Sequence, residues 1–131
     1  MKWAEKYATG IKRIDDHHKG LFEMSEVFRD ALIEGSGDRV YGGFLDSLGS
    51  FARGHFGFEE ECIGRCQCPA GQQNTQAHSQ FLQGLSVFNE RYTLVGFERV
   101  EAWRCVEFID QWLAVHICRI DMQLKPYAQD L

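Results

Sequence analysis

The fold of this chain is decided by residues 48–62, LGSFARGHFGFEEEC. Leu48, Phe51, His55, Glu59 and Cys62 follow one another at steps of three and four, which is the spacing of one face of an α-helix. Because each residue turns a helix by about 100°, Glu59 lies only about 40° from His55. An imidazole and a carboxylate therefore share an apolar face that should be buried.

The same spacing predicts three further helices. The four apolar stripes contain, in chain order, Leu21, Phe22, Phe28 and Leu32; Leu45, Leu48, Phe51, Ala52 and Ile63; Phe81, Leu82, Leu85 and Phe88; and Trp103, Val106, Ile109, Trp112, Leu113, Ile117 and Ile120. Four amphipathic helices with short connections imply an all-α, antiparallel up-down-up-down four-helix bundle. Residues 1–14 lack this periodicity and are predicted to form an N-terminal arm of a single domain, 1–131.

The helix ends are predicted from capping and breaking residues. Asp15 or Asp16 should cap the first helix, and Asp38 the second. Breaks are expected at residues 35–37, at 68–71 and near Gly96, and the fourth helix, from about Glu98, should be over by Pro126.

Composition excludes several kinds of partner. The formal charge is −5, the chain has no basic run, and the pI is near 5.5, which argues against nucleic acid and anionic membranes. No apolar stretch approaches the roughly 18 residues of a membrane span. The charged N-terminus lacks the apolar segment of a signal peptide, so a cytoplasmic protein is expected.

Each predicted helix also carries a histidine on its apolar stripe. The inward polar side chains are His18, His55, Glu59, His78 and His116, with Asn74 one turn before His78. A lone inward histidine is more often a hydrogen-bonded core residue, but four imidazoles and a carboxylate buried together would each cost several kcal/mol without compensation. Metal binding removes that cost, and this donor set suits iron, manganese or zinc. By contrast, Glu60 and Glu61 are expected to be solvated and His17 to face a helix flank.

The chain resembles the hemerythrin family, in particular its single-domain bacterial members, over nearly its whole length. The resemblance rests on residues 10–15 and 17–22, similar to Ile-Asp-x-Gln-His-Lys-x-Leu; 55–60, similar to His-Phe-x-x-Glu-Glu; 69 and 74–81, where the family has Tyr-Pro and His-x-x-x-His-x-x-Phe; and 112–121, WLAVHICRID, similar to Trp-Leu-x-x-His-Ile-x-x-x-Asp. Each motif is weak alone, but all of them in order at compatible spacing are highly specific.

The resemblance implies a site for two iron ions about 3–4 Å apart, the usual range of paired-metal sites. By that analogy His18 and His55 would bind one iron, His78 and His116 would bind the other with the residue at position 74, and Glu59 and Asp121 would bridge both beside a solvent-derived oxo or hydroxo group.

Asp121 is not predicted by helical spacing. A step of five from His116 is about 140° around a regular helix. If Asp121 is a ligand, the fourth helix must end, overwind or bulge between the two residues.

The resemblance also implies a function, which is reversible binding of O2 at the iron with fewer histidines. Both electrons would pass to O2 and return when it leaves. Trp112, Leu113 and Ile117 resemble the apolar wall of the O2 pocket, which keeps water out.

Position 74 departs from the family because it is Asn where a ligand His is expected. The carboxamide oxygen could bind iron, water or an exogenous anion could take the place, or that iron could be lost from part of the molecules. His17 likewise stands where the family has Gln.

The five cysteines, at positions 62, 66, 68, 105 and 118, cannot all pair within one chain. Free thiols are expected, with Cys66 and Cys68 the most exposed because they border Pro69. Zinc at residues 62–68 is a minor alternative, since the spacing is not a standard zinc pattern.

Three functions are consistent with these residues. The first is O2 carriage, storage or delivery without catalysis. The second is an enzyme that reduces peroxide or NO or oxidises Fe(II), which the missing ligand favours. The third is a sensor of O2, NO or redox state, which would need a partner protein because only ten residues follow Asp121.

Overall fold

The computed structural model describes residues 1–130 and shows a four-helix bundle. Helices α1 (Lys12–Glu34), α2 (Gly37–Cys66), α3 (Gly71–Val95) and α4 (Arg99–Arg119) are flanked by short 3-10 helices at Glu5–Tyr7 and Asp121–Asp130. Helix α1 packs against α2 and α4, and α3 packs against the same two helices. Residues 1–130 contain no strand, so the predicted all-α bundle is confirmed.

The N-terminal arm is present but ends earlier than expected, because α1 begins at Lys12. Tyr7 holds the arm to the bundle by stacking on Phe22, with ring centroids 5.3 Å apart. Asp15 lies inside the first turn, where its carboxylate accepts hydrogen bonds from Thr9 and from the backbone N–H of Gly10. The prediction that Asp15 or Asp16 caps the helix is therefore wrong.

One other helix boundary differs from prediction. Helix α2 begins at Gly37, after Ser36, so Asp38 lies in its first turn and is not its cap. The helix dipole stabilises a carboxylate at this position. Helix α4 follows Glu98 and ends at Arg119, so it is over before Pro126, as predicted. The end of α4 between His116 and Asp121 is one of the three arrangements that a ligand role for Asp121 requires.

The apolar stripes form two buried clusters, one on each side of a polar layer. On α2 this layer lies between Phe56 of the larger cluster and Cys62 of the smaller one, and at the C-terminal end of α4 it adjoins Ile117 of the larger cluster and Ile120 of the smaller one. Phe51 is an exception on the predicted stripe, because it is 36% exposed. It stands at the edge of the buried face and covers Gly20, whose Cβ, if present, would lie 2.9 Å from the Phe51 ring.

All five cysteines are free thiols. The prediction that Cys66 and Cys68 are the most exposed is wrong, because Cys68 is buried beneath the 3-10 helix and Cys118 is the exposed cysteine. Within residues 1–130 no cysteine joins a group of three potential metal ligands. No helix of residues 1–130 is both long and apolar enough to cross a membrane.

Candidate metal centre

The structure brings six of the predicted polar residues together in the layer between the two apolar clusters. Each is at most 3% exposed: His18 from α1, His55 and Glu59 from α2, His78 from α3, His116 from α4, and Asp121 from the segment after α4. They form two groups of potential ligands that share Glu59.

The first group consists of His18, His55, Glu59 and Asp121. Nε2 of His55 lies 3.0 Å from Oε2 of Glu59. Nε2 of His18 lies 3.0 Å from Oδ2 of Asp121 and 3.5 Å from Oε2 of Glu59. One oxygen of each carboxylate therefore faces this pair of imidazoles.

The second group lies on the other side of the same carboxylates. Nε2 of His78 is 3.1 Å and Nε2 of His116 is 3.4 Å from Oε1 of Glu59. Nε2 of His116 also lies 3.0 Å from Oδ1 of Asp121. Glu59 and Asp121 thus each present one oxygen to each pair of imidazoles and lie between the two pairs.

The donor atoms fit a metal better than they fit one another. Nε2 of His18, Oε2 of Glu59 and both oxygens of Asp121 are buried and have no hydrogen-bond partner, although they approach one another closely. Buried polar atoms are rarely left unpaired. A cation among them would accept these lone pairs, so the residues present form a metal-binding cluster.

The carboxylates of the cluster also shift the pKa values of the imidazoles beside them. Burial alone would lower the pKa of His18 and His116, but the adjacent Asp121 and Glu59 carboxylates outweigh it and raise each pKa to about 9. Burial also opposes ionisation of Glu59, but Asp121 and the imidazoles hold the pKa of Glu59 well below its usual range. Burial and the charge of Glu59 together raise the pKa of Asp121.

Asn74 is fully buried beside the cluster, as its position one turn before His78 predicts. Its Nδ2 donates a hydrogen bond of 2.8 Å to Oε1 of Glu59, and its Oδ1 has no partner. Asn74 therefore steadies the shared carboxylate, and its oxygen is a further potential donor.

Two neighbours of the predicted ligands also contact the cluster. Nδ1 of His17 lies 3.1 Å from Nδ1 of His55, because the helix flank on which the half-buried His17 ring lies is the one that meets α2. Oε1 of Glu60, whose side chain is 40% exposed, lies 3.5 Å from Nδ1 of His78. Helical spacing missed both because each contact crosses to another helix; Glu61 is exposed, as predicted.

The residues predicted to wall an O2 pocket lie next to the cluster. Leu113 and Ile117 are buried, and Trp112 stacks on His116 with ring centroids 4.3 Å apart. A pocket of about 300 Å³ between α3 and α4 is lined by Trp112 and reaches His116. The role of these residues in holding a gas stays a prediction.

Comparison with known proteins agrees with this geometry. The family model of the hemerythrin HHE cation binding domain matches residues 9–128. Bacteriohemerythrins of Pseudomonas paraeruginosa and Pseudomonas aeruginosa are each 26% identical to this chain over 92 residues, which cover 70% of this chain and 60% of each relative. The match thus spans less than two thirds of the relatives' own length. With its residues 9–128 matched, the chain belongs to the hemerythrin HHE family of cation-binding domains.

Proposed function

We propose that this protein is a non-haem di-iron protein that binds O2 reversibly, for carriage, storage or delivery. The observation that carries the proposal is the division of the cluster into two pairs of imidazoles on either side of Glu59 and Asp121. His18 and His55 would hold one iron, and His78 and His116 the other. The two carboxylates would bridge them, together with an oxo or hydroxo group from solvent.

The charge of the residues is compatible with this assignment. Two Fe(II) ions carry +4, and two carboxylates with one hydroxide carry −3, so a charge of about +1 is left in the core. A buried site tolerates this far better than the unneutralised ions. When bound, the two irons would supply the two electrons that O2 takes up and returns.

The apolar side chains around the cluster would keep water from this site. Leu113 and Ile117 are buried, Trp112 covers one face of His116, and Phe56 stacks on His78 with ring centroids 3.9 Å apart. Exclusion of water and protons favours return of the two electrons and release of O2 over irreversible oxidation of the irons. We extend the proposal to a single domain over residues 1–131, and the five free thiols support a reducing compartment such as the cytoplasm.

Asn74 favours a second candidate function, the reduction of peroxide or NO. A carboxamide stands where a third imidazole would complete the His78 and His116 side, and the pocket between α3 and α4 reaches His116. If a replaceable ligand fills that place, both irons could bind exogenous molecules side by side.

Anaerobic reconstitution with Fe(II), followed by optical spectra before and after addition of O2, tests both functions. Reversible O2 binding predicts two irons per chain and a visible band that vanishes when O2 is removed. An immediate, irreversible ferric spectrum with turnover of peroxide or NO would favour the enzyme. A chain that retains no iron would refute both.

A further inference from the structure

His17 forms a histidine pair with His55 across the α1–α2 interface. Their Nδ1 atoms lie 3.1 Å apart, and the two rings meet edge to face at 89°. One imidazole must therefore donate a proton to the other, and the direction of this hydrogen bond depends on which ring carries its proton on Nδ1.

The other side of the His55 ring settles that direction when a metal is bound. Nε2 of His55 faces the cluster, 3.0 Å from Oε2 of Glu59, so it is the nitrogen that can bind the metal. An imidazole that binds through Nε2 carries its proton on Nδ1. His17 must then accept this proton at its own Nδ1 and keep its own proton on Nε2.

The surroundings of His17 hold its ring in place for this contact. The His17 ring lies edge-on to Phe51 and to Phe58, with centroids 5.8 and 5.6 Å away. The guanidinium of Arg13 lies over the Phe58 ring, 4.1 Å from its centre. An aromatic clamp of this kind restricts the ring to the orientation in which Nδ1 points at His55.

We propose that His17 is a positioning residue that orients His55 and fixes its metal-binding tautomer by accepting its Nδ1 proton. The inference rests on the proposed metal-binding function. The two sides of the centre then differ in the group next to Nδ1 of a ligand histidine. That group is the imidazole of His17 for His55 and the carboxylate of Glu60 for His78. Groups that hold a ligand histidine in this way typically contribute about 10- to 100-fold to metal affinity.

The test uses the full chain loaded with Zn(II), a diamagnetic probe that suits both chelator competition and NMR. His17→Gln keeps an acceptor, since its amide oxygen can take the proton, whereas His17→Leu fits the clamp of Phe51 and Phe58 but cannot accept. We expect His17→Leu to bind Zn(II) about 10- to 100-fold more weakly than the parent and His17→Gln to stay within a few-fold. Circular dichroism of the metal-free proteins checks that both variants fold.

A second readout needs no variant. Long-range ¹H–¹⁵N spectra of the zinc-loaded parent should show the His55 proton on Nδ1 and the His17 proton on Nε2. A His17 proton on Nδ1 would overturn the inference, as would equal zinc affinity in the parent and His17→Leu, or an equal loss in both variants. If the parent itself binds no Zn(II), the proposed function fails together with this inference; if only the His17 results disagree, the inference fails alone.

Discussion

His116 and Asp121 approach to 3.0 Å, from Nε2 to Oδ1, although five positions separate them in the chain. A continuous α-helix would place them about 140° apart around its axis. Because α4 ends at Arg119 and a 3-10 helix begins at Asp121, the carboxylate turns back into the core. The end of α4 at Arg119 is therefore what allows Asp121 to reach the centre.

Metal uptake should compete with protons. In the metal-free protein the pKa of His18 and of His116 is about 9, so both imidazoles are protonated at pH 7. A metal needs the neutral imidazole; its affinity should therefore rise with pH up to about 9, by up to about tenfold per unit for each proton released. Titration of metal-free protein with Zn(II) in weak buffer at pH 7 should release about two protons per chain. Release of none would show that these imidazoles do not give up protons when the metal binds.

Replacement of Glu59 should remove metal. Its two oxygens face the two pairs of imidazoles, so Glu59→Ala takes one donor from each iron. We expect at most one iron per chain after desalting, measured by iron analysis against protein concentration. Glu61→Ala is the matched control, because the Glu61 side chain is 68% exposed, and it should retain two. Two irons in Glu59→Ala would exclude Glu59 as a bridge.

Asn74→His should strengthen the centre. Position 74 is buried one turn before His78, so an imidazole there can reach the same metal. The variant should lose iron to a chelator more slowly than the parent, autoxidise more slowly, and have lower peroxidase or NO-reducing activity than the parent, if the parent has any. Iron retention and O2 reactivity equal to the parent's would place residue 74 outside the coordination sphere.

Asn74→Ala separates the amide's structural role from metal binding. This change removes the hydrogen bond to Oε1 of Glu59 without adding a donor. Hydrogen bonds to charged groups contribute about 1.5–3 kcal/mol, so urea unfolding of the metal-free variant should show a loss of that order. An unchanged midpoint would mean that the amide does not hold Glu59.

The cysteines should be dispensable for iron. Cys118 is exposed, while Cys62, Cys68 and Cys105 are buried, and burial raises the pKa of Cys105 to about 12. A thiol reagent should therefore modify Cys118 first, in a fast phase of the reaction. The Cys118→Ser variant should lack this fast phase. Iron content should not change on modification. Loss of iron at the fast phase would tie Cys118 to the centre.

Much of the centre could be predicted from spacing within single helices. His55 and Glu59 lie one turn apart on α2, and the residues around them on the same face are apolar, so their burial follows from the helix period. His18, His78 and His116 follow in the same way.

What spacing could not provide are contacts that depend on irregular backbone or on a second helix. Asp121 reaches the centre only because α4 ends before it. Asp15 lies within the first turn of α1 and does not cap the helix, and its carboxylate accepts a hydrogen bond from the Thr9 hydroxyl. His17 meets His55 across 38 positions of sequence, and no period within one helix predicts that pairing.

Reversible O2 binding is tested by cycling the reconstituted di-iron(II) protein between O2 and argon while its visible spectrum and iron content are recorded. Reversible binding predicts a band that saturates at one O2 per two irons, disappears under argon and returns in later cycles with both irons retained. A single irreversible change to a ferric spectrum, or no response to O2, would contradict it.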